Sequence, residues 1–156
     1  MPSDWTERFA CTDPNIQYAN ICHRDIKPSN ILIDEENAKF CDFGSAKVLA
    51  VGHKNISYIC SRYYRAPELL LGASYYSTQV DIWSLGCVIA EMLMNRALFE
   101  GSNANGMFTK IIRTIGSPTL DDLKSMMIED EEIAEMKMEG SGLRNRILRY
   151  NQNSPD

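Results

Sequence analysis

Hydrophobic residues are densest between Asp81 and Asn95, where they cover nearly the whole circumference of a helix. A helix that is apolar on all sides is typical of the buried centre of a domain. Thr119 and Asp122 have the spacing of a capping box, which predicts a short helix to about Met127. Between these two segments, apolar residues at helical spacing predict one face of an amphipathic helix: Ala104, Met107, Phe108, Ile111, Ile112 and Ile115.

The segment before the central helix contains short apolar runs and an aperiodic stretch. Two short apolar runs, 30–33 and 38–41, flank a polar stretch and predict a small hairpin. Residues 44–65 show no periodicity and predict a long ordered loop, a feature that is usually functional. The pattern as a whole indicates an α+β fold with most of its helices in the second half.

The ends of the chain carry no clear pattern. Residues 1–20 are irregular, and residues 129–156 pass from an acidic run to basic residues around a Gly-Ser-Gly turn. Such a charged segment is typical of a solvated or frayed tail. We therefore predict three regions: an irregular lead at 1–20, one domain at 21–128 and a charged tail at 129–156.

Composition excludes several classes of function. The net charge of −5 over 156 residues gives no reason to expect nucleic acid or an anionic membrane as partner. Five scattered cysteines without a CxxC pair argue against a disulfide framework or a structural zinc site. The longest apolar stretch, Ile82 to Met94, is too short to cross a bilayer, and no apolar leader is visible. We expect an intracellular protein, in the cytoplasm or the nucleus.

The string His23–Asn30 carries the strongest chemical signal. A carboxylate at Asp25 can orient an attacking hydroxyl and accept its proton, and Lys27 can neutralise a transferring phosphate. The amide oxygen of Asn30 can ligate Mg²⁺ without adding charge. This spacing resembles the catalytic loop of protein kinases, which would make Asp25 and Lys27 catalytic and Asn30 a metal ligand.

Three further motifs follow in the order that protein kinases share. Asp42-Phe43-Gly44 ends the predicted hairpin, and its aspartate would hold Mg²⁺ that bridges the nucleotide phosphates. Ala66-Pro67-Glu68 closes the long loop, and Asp81 opens the central helix. Each motif alone has a structural explanation, because aspartate is common in turns and caps, but their order indicates a protein kinase. We assign Glu68 and Asp81 structural roles.

Within the kinases, the strings Cys41–Lys47 and Ser57–Glu68 closely resemble glycogen synthase kinase 3, the shaggy-like serine/threonine kinases. The resemblance implies that ATP and Mg²⁺ are cofactors, that Leu32 and Cys41 lie against the nucleotide, and that Tyr58 is a regulatory phosphotyrosine. It also implies protein substrates that are already phosphorylated. Two of the residues that hold the priming phosphate match Arg24 and Lys47.

The sequence departs from the full kinase pattern. It contains no G-x-G-x-x-G loop and no Val-Ala-Ile-Lys strand, so we expect a truncated kinase-like fold, mainly the helical C-terminal lobe with a catalytic-loop hairpin. Such a chain is expected to be inactive alone, as a fragment of a functional kinase. It is alternatively a catalytically silent binding fragment that competes for substrates or regulators, or a degenerate product that does not fold.

Two contacts of the family involve positions at which this sequence differs from the family pattern. In kinases the glutamate at Glu68 pairs with an arginine from late helices, for which Arg144 and Arg146 are the candidates here. The scaffold-peptide groove of the family runs along the amphipathic helix. Asn105 and Thr109 are polar at positions where the family is apolar, so we expect weak binding of scaffold proteins.

Overall fold

The computed structural model describes residues 20–35, 37–128, 133 and 135–153. Four short strands precede the helices within this part: β1 (Ile21–Cys22), β2 (Ile31–Ile33), β3 (Ala38–Phe40) and β4 (Lys47–Val48). The helices are α1 (Pro67–Leu70), α2 (Gln79–Met94), α3 (Ala104–Ile115), α4 (Leu120–Ser125) and α5 (Leu143–Asn153). The secondary structure of the described part is therefore that of the expected α+β fold, in which helices predominate.

The strands form two separate antiparallel pairs. Strand β2 pairs with β3 in the register Ile31 to Phe40, which confirms the predicted hairpin. Strand β1 pairs with β4, so that Cys22 lies opposite Lys47. The second pair joins the start of the catalytic loop to the start of the long loop, a long-range contact that local patterns do not predict.

Helix α2 is the centre of the helical part, but it is not buried on all sides. It begins at Gln79, two residues before the predicted start, and its exposed face includes Ile82, Met92 and Leu93, each more than half exposed. The prediction of a helix buried around its whole circumference was therefore wrong. In the described part of the chain, α5 and the turn Arg62–Tyr64 pack against α2, whereas the face with Ile82, Met92 and Leu93 is exposed.

Two clusters of buried side chains form the core. The first joins the C-terminal half of α2 to α3 and includes Phe99, Met107 and Ile111, which are almost fully buried. The second lies beneath the catalytic loop and includes Cys22, Leu49, Ala66, Leu69 and Val80. Trp83 packs against both clusters, so the site and the helices share one core.

The two predicted helices that follow are confirmed. Helix α3 buries Met107, Ile111 and Ile112 on one face. Helix α4 begins with the predicted capping box, in which the Thr119 hydroxyl accepts a hydrogen bond from the Asp122 amide at 3.1 Å. The Asp122 carboxylate in turn accepts from the Thr119 amide at 2.8 Å. Local side-chain chemistry is therefore enough to position this helix.

The charged tail is only partly what its composition indicates. Residues Leu143–Asn153 form helix α5, so the prediction of a solvated or frayed tail was wrong for them. Ile147 packs against the core, and Arg146 donates to the carbonyl oxygen of Leu98 at 2.7 Å. Because these contacts join residues that are far apart in the sequence, the composition of the tail does not reveal that it folds against the core. Residues 1–19, 129–132, 134 and 154–156 lie outside the described part, so their predicted character is untested.

No helix in the described part combines the length and apolar character needed to cross a membrane.

Candidate active site

The catalytic loop is held by the central helix. The carboxylate of Asp81, in the first turn of α2, accepts hydrogen bonds from the backbone amides of His23 at 2.6 Å and Arg24 at 2.9 Å. Arg24 adopts a left-handed backbone conformation with φ of 65°, which is uncommon for a residue other than glycine. Asp81 therefore fixes a bend in the chain just before Asp25, rather than only capping the helix.

His23 connects this loop to the segment around Asp42. Its Nε2 lies 3.0 Å from the carbonyl oxygen of Cys41, and its Nδ1 lies 3.3 Å from the amide nitrogen of Asp25. The pattern requires a proton on Nε2, which donates to Cys41, and a free Nδ1 that accepts from Asp25. The ring also packs against Phe43, with ring centres 4.9 Å apart. His23 thus sets the spacing between the two aspartate-bearing segments.

The carboxylate of Asp25 accepts four hydrogen bonds. Its Oδ2 lies 2.7 Å from the ammonium of Lys27 and 3.3 Å from Nδ2 of Asn30. Its Oδ1 accepts from the amide of Ser61 at 3.0 Å and from the Ser61 hydroxyl at 2.8 Å. The three residues predicted from the catalytic-loop motif therefore lie together, joined by a serine of the long loop.

These contacts control the ionisation of Asp25. Burial of the carboxyl group by itself would raise the pKa, but the hydrogen bonds from Lys27 and Ser61 outweigh burial and lower the pKa below its ordinary value. Asp25 is consequently an anion at neutral pH. It is suited to accept a hydrogen bond from an incoming hydroxyl and to orient it.

Ser61 is the functional residue that sequence reasoning missed. Besides its two hydrogen bonds to Asp25, its hydroxyl lies 3.2 Å from Nζ of Lys27. A serine in an aperiodic loop carries no local signal of such a role, because 36 residues separate it from Asp25. It links the long loop to the catalytic loop.

The residues proposed as metal ligands lie at the open end of the hairpin. The amide of Cys41 donates to the carbonyl oxygen of Asn30 at 3.0 Å, so Asp42 directly follows the residue that pairs with Asn30. Both Nδ2 hydrogen bonds of Asn30 go to Asp25, so its side-chain oxygen is the end left for a metal. Asp42 has a left-handed φ of 60°, and its carboxylate accepts from the Gly44 amide at 3.3 Å.

This donor set fits Mg²⁺. One carboxylate and one amide oxygen are hard ligands, and Mg²⁺ in phosphoryl-transfer sites commonly takes its other oxygens from phosphates and water. No group of three or more His, Cys, Asp or Glu residues is close enough to hold a metal in the described ranges. Asn30 and Asp42 would therefore supply two oxygens to such a metal.

The surface predicted to contact the nucleotide base is open. Leu32 is 59% exposed, its neighbour Ile33 is 78% exposed, and Cys41 is partly buried. Leu32 lies opposite Lys39 in the hairpin. Side chains as exposed as these give little of the burial that binds a base.

The two residues predicted to hold a substrate phosphate are brought to the same region by the β1–β4 pair. The Nε of Arg24 donates to the carbonyl oxygen of Ser45 at 2.6 Å, and Lys47 donates to the side chain of Asn55 at 2.7 Å. The hydroxyl of Tyr76 lies 3.4 Å from the Arg24 guanidinium. Both cations have polar partners and neither has an ion pair in the described part of the chain.

Tyr58 is accessible, as a regulatory phosphosite requires. Its side chain is 79% exposed, and the guanidinium of Arg65 lies 4.5 Å from the centre of its ring. Arg65 also donates to the carbonyl oxygen of Ile59 at 2.7 Å. The other nearby cation, Arg62, donates to the carbonyl oxygen of Ser102 at 2.7 Å.

Glu68 has no cationic partner among the described residues. Burial raises the pKa of its carboxyl group above the ordinary value. Arg146 is engaged with Leu98, and Arg144 is exposed, so the pairing considered for these two arginines does not occur. The carboxyl group faces a mainly apolar cavity.

Comparisons with known proteins agree with this geometry. The protein kinase domain model matches residues 15–154, nearly the whole chain. Glycogen synthase kinase 3 of Trypanosoma brucei brucei is 51% identical over 121 residues, which are 76% of this chain and 34% of that protein. Protein kinase gsk3 of Schizosaccharomyces pombe is 52% identical over 113 residues, 71% of this chain and 29% of that protein.

A third relative is the probable serine/threonine-protein kinase glkA of Dictyostelium discoideum, 56% identical over 107 residues, 68% of this chain and 23% of that protein. The chain thus matches between about a quarter and a third of the length of these relatives. The chain belongs to the protein kinase family and is of the glycogen synthase kinase 3 type.

Proposed function

We propose that this chain carries the catalytic residues of a protein serine/threonine kinase, which transfers the γ-phosphate of ATP to a serine or threonine hydroxyl. The observation that supports the proposal best is the set of contacts around Asp25. Its carboxylate is ionised, points two oxygens at fixed donors and lies 2.7 Å from the ammonium of Lys27. Phosphoryl transfer requires an anion that orients the attacking hydroxyl and a cation that offsets the charge of the phosphate, and Asp25 and Lys27 provide both.

In this mechanism each residue has one task. Asp25 accepts a hydrogen bond from the substrate hydroxyl, whose oxygen attacks the γ-phosphorus, and Asp25 takes the proton as ADP leaves. Lys27 offsets the negative charge on the transferring group. Asn30 and Asp42 would hold Mg²⁺, which would supply positive charge to offset that of the nucleotide. Ser61 keeps Asp25 and Lys27 in register.

We further propose that the 156-residue chain alone binds ATP weakly and turns over too slowly to detect. The motif G-x-G-x-x-G does not occur in the sequence, and Leu32 and Phe43 are each 59% exposed. Without a surface opposite the hairpin, the base of ATP would remain in water. The half-buried Arg24 and the exposed Lys47 favour the second candidate function, a silent fragment that binds substrates or regulators of the full kinase.

The proposed substrates are proteins that already carry a phosphate. Lys47 lies on strand β4, and Arg24 lies two residues after strand β1, which pairs with β4. The side chains of both residues donate hydrogen bonds to neutral oxygens. A phosphate group would replace these partners with charge-assisted hydrogen bonds, which are stronger.

A chimera tests the catalytic proposal. Residues 21–127 replace the matching segment of the S. pombe gsk3 kinase, and transfer of labelled phosphate to a phosphoserine-containing peptide is measured. We expect activity that Asp25→Asn lowers by about two orders of magnitude or more. Asp34→Asn, which removes an exposed carboxylate in the hairpin turn, is the matched control. A folded chimera without activity, or one indifferent to Asp25→Asn, would contradict the assignment.

The chain alone tests the other two proposals. We expect no detectable peptide phosphorylation, and a phosphopeptide that binds more tightly than its unphosphorylated form. The double variant Arg24→Ala, Lys47→Ala should remove that preference, whereas Lys39→Ala, an exposed lysine of the hairpin, should leave it. Robust turnover abolished by Asp25→Asn would refute the inactivity. An unchanged preference in the double variant would refute the phosphate site.

A further inference from the structure

The hydroxyl of Tyr76 lies between Arg24 and the long loop. It donates a hydrogen bond to the carbonyl oxygen of Ile56 at 2.9 Å, and Nη1 of Arg24 donates to it at 3.4 Å. A tyrosine hydroxyl has a single proton to donate. Because Ile56 accepts that proton, the hydroxyl oxygen faces the guanidinium as an acceptor.

The position of this hydroxyl is set by the core. The ring of Tyr76 packs against the second cluster of buried side chains, which includes Cys22 and Val80. Burial raises the pKa of Tyr76 above its ordinary value, so the phenol keeps its proton at neutral pH. The ring cannot move far without disturbing the cluster, and the hydroxyl is therefore a rigid contact for Arg24.

The backbone of Arg24 is also fixed, so only its side chain has freedom to lose. Its amide donates to Asp81 at 2.9 Å, and its carbonyl oxygen accepts from the amide of Cys60 at 3.1 Å. In the guanidinium, Nε donates to the carbonyl oxygen of Ser45 at 2.6 Å and Nη1 donates to Tyr76. Nη2 is the nitrogen that has no partner among the described residues.

The same short segment, 74–76, also supports Lys47. The amide of Asn55 donates to the carbonyl oxygen of Ser74 at 2.7 Å, and the side-chain oxygen of Asn55 accepts from Nζ of Lys47 at 2.7 Å. Lys47 lies opposite Cys22 in the β1–β4 pair, two residues before Arg24. The segment thus reaches both cations, Lys47 through Asn55 and Arg24 through Tyr76.

We propose that Tyr76 is a positioning residue for phosphate recognition, an inference that rests on the proposed binding of phosphorylated substrates. When a phosphate replaces Ser45 at Nε of Arg24, Tyr76 still holds Nη1. Nε and Nη2, which form one edge of the guanidinium, can then donate two parallel hydrogen bonds to the phosphate. Without the hydroxyl, the arginine side chain has to be ordered on binding, which weakens affinity by about threefold to tenfold.

Tyr76→Phe tests this role because it removes only the hydroxyl. Calorimetry gives the Kd of the 156-residue chain for a phosphoserine-containing peptide and for its unphosphorylated form, and circular dichroism checks that the variant is folded. We expect the ratio of the two affinities to fall by about threefold to tenfold, with the unphosphorylated peptide unaffected. The control is Tyr75→Phe, since the Tyr75 hydroxyl has no hydrogen bond in the described part of the chain. An unchanged ratio in Tyr76→Phe, or an equal fall in Tyr75→Phe, would overturn the proposal.

Two further measurements distinguish positioning from a general effect on the fold. In the Arg24→Ala background, which keeps Lys47, Tyr76→Phe should lower the ratio no further, whereas it should still lower the ratio in the Lys47→Ala background. A further fall in the first background would refute action through Arg24. In the unsubstituted chain, the ¹³Cζ signal of Tyr76 should shift when the phosphopeptide binds and stay in place with the unphosphorylated form, and the absence of this difference would contradict the contact.

The outcomes separate this role from the phosphate site itself. If the unsubstituted chain shows no preference for phosphate, or if Arg24→Ala, Lys47→Ala keeps the preference, the phosphate site is wrong and the role of Tyr76 is wrong with it. If that double variant loses the preference and Tyr76→Phe keeps it, only the role of Tyr76 is wrong.

Discussion

Replacing Asp81 by alanine should destabilise the whole domain, because this carboxylate holds two backbone amides of the catalytic loop. Hydrogen bonds to a charged group contribute about 1.5–3 kcal/mol each, and an unpaired buried donor adds to the loss. The Asp81 carboxylate accepts bonds of 2.6 and 2.9 Å from the amides of His23 and Arg24. We therefore expect Asp81→Ala to lower the free energy of unfolding by about 3–5 kcal/mol. That is a large share of the stability of an ordinary domain, about 5–15 kcal/mol.

The measurement is urea unfolding followed by far-ultraviolet circular dichroism. Asp81→Asn keeps one acceptor oxygen and should cost about half as much as Asp81→Ala, about 1.5–3 kcal/mol. The control is Asp121→Ala, since the Asp121 side chain is 95% exposed and its ion pair with Lys124 is 3.7 Å long. It should change stability by less than about 0.5 kcal/mol. An Asp81→Ala variant as stable as this control would refute the role of Asp81 in holding the loop.

Three further predictions concern single side chains. Ser61→Ala should raise the pKa of Asp25 toward its ordinary value, as measured by carboxyl ¹³C titration, and an unchanged pKa would contradict the contact. Burial raises the pKa of Glu68 in the folded state, so the free energy of unfolding falls as pH rises from the unfolded pKa through the folded pKa. In urea unfolding, Glu68→Gln should have the same free energy of unfolding as the wild type at acidic pH. At pH 7 the variant should be more stable by about 1 kcal/mol or more. Thr119→Ala should cost about 1 kcal/mol by urea unfolding, whereas Thr119→Ser should be nearly neutral because serine also caps helices.

Sequence predicted best where short-range chemistry decides the structure. The hairpin 31–40, the amphipathic helix α3 and the capping box of α4 each depend on residues within a few positions of one another, and all three are confirmed. The catalytic residues were predictable for a different reason, since phosphoryl transfer requires particular groups at fixed spacing. The motif therefore indicated Asp25 and Asn30 before any contact was known.

Sequence failed where the outcome depends on which distant elements meet. The burial of α2 was overestimated because an apolar composition does not say which faces are covered. Helix α5 was missed because the contact of Ile147 with the core is hidden among charged neighbours. Ser61 was missed because only the folded loop brings it to Asp25.

The four donors around Asp25 have a consequence for how a substrate arrives. A carboxylate offers about four lone-pair directions, and Ser61, Lys27 and Asn30 together supply four donors. An incoming alcohol therefore has to exchange with a resident donor instead of entering a vacant position. The longest bond, 3.3 Å from Asn30, is the first candidate for exchange. Substrate arrival would then leave the Asn30 amide with only its bond of 2.9 Å to the backbone carbonyl oxygen of Asp25, a change that the side-chain ¹⁵N signal of Asn30 would report.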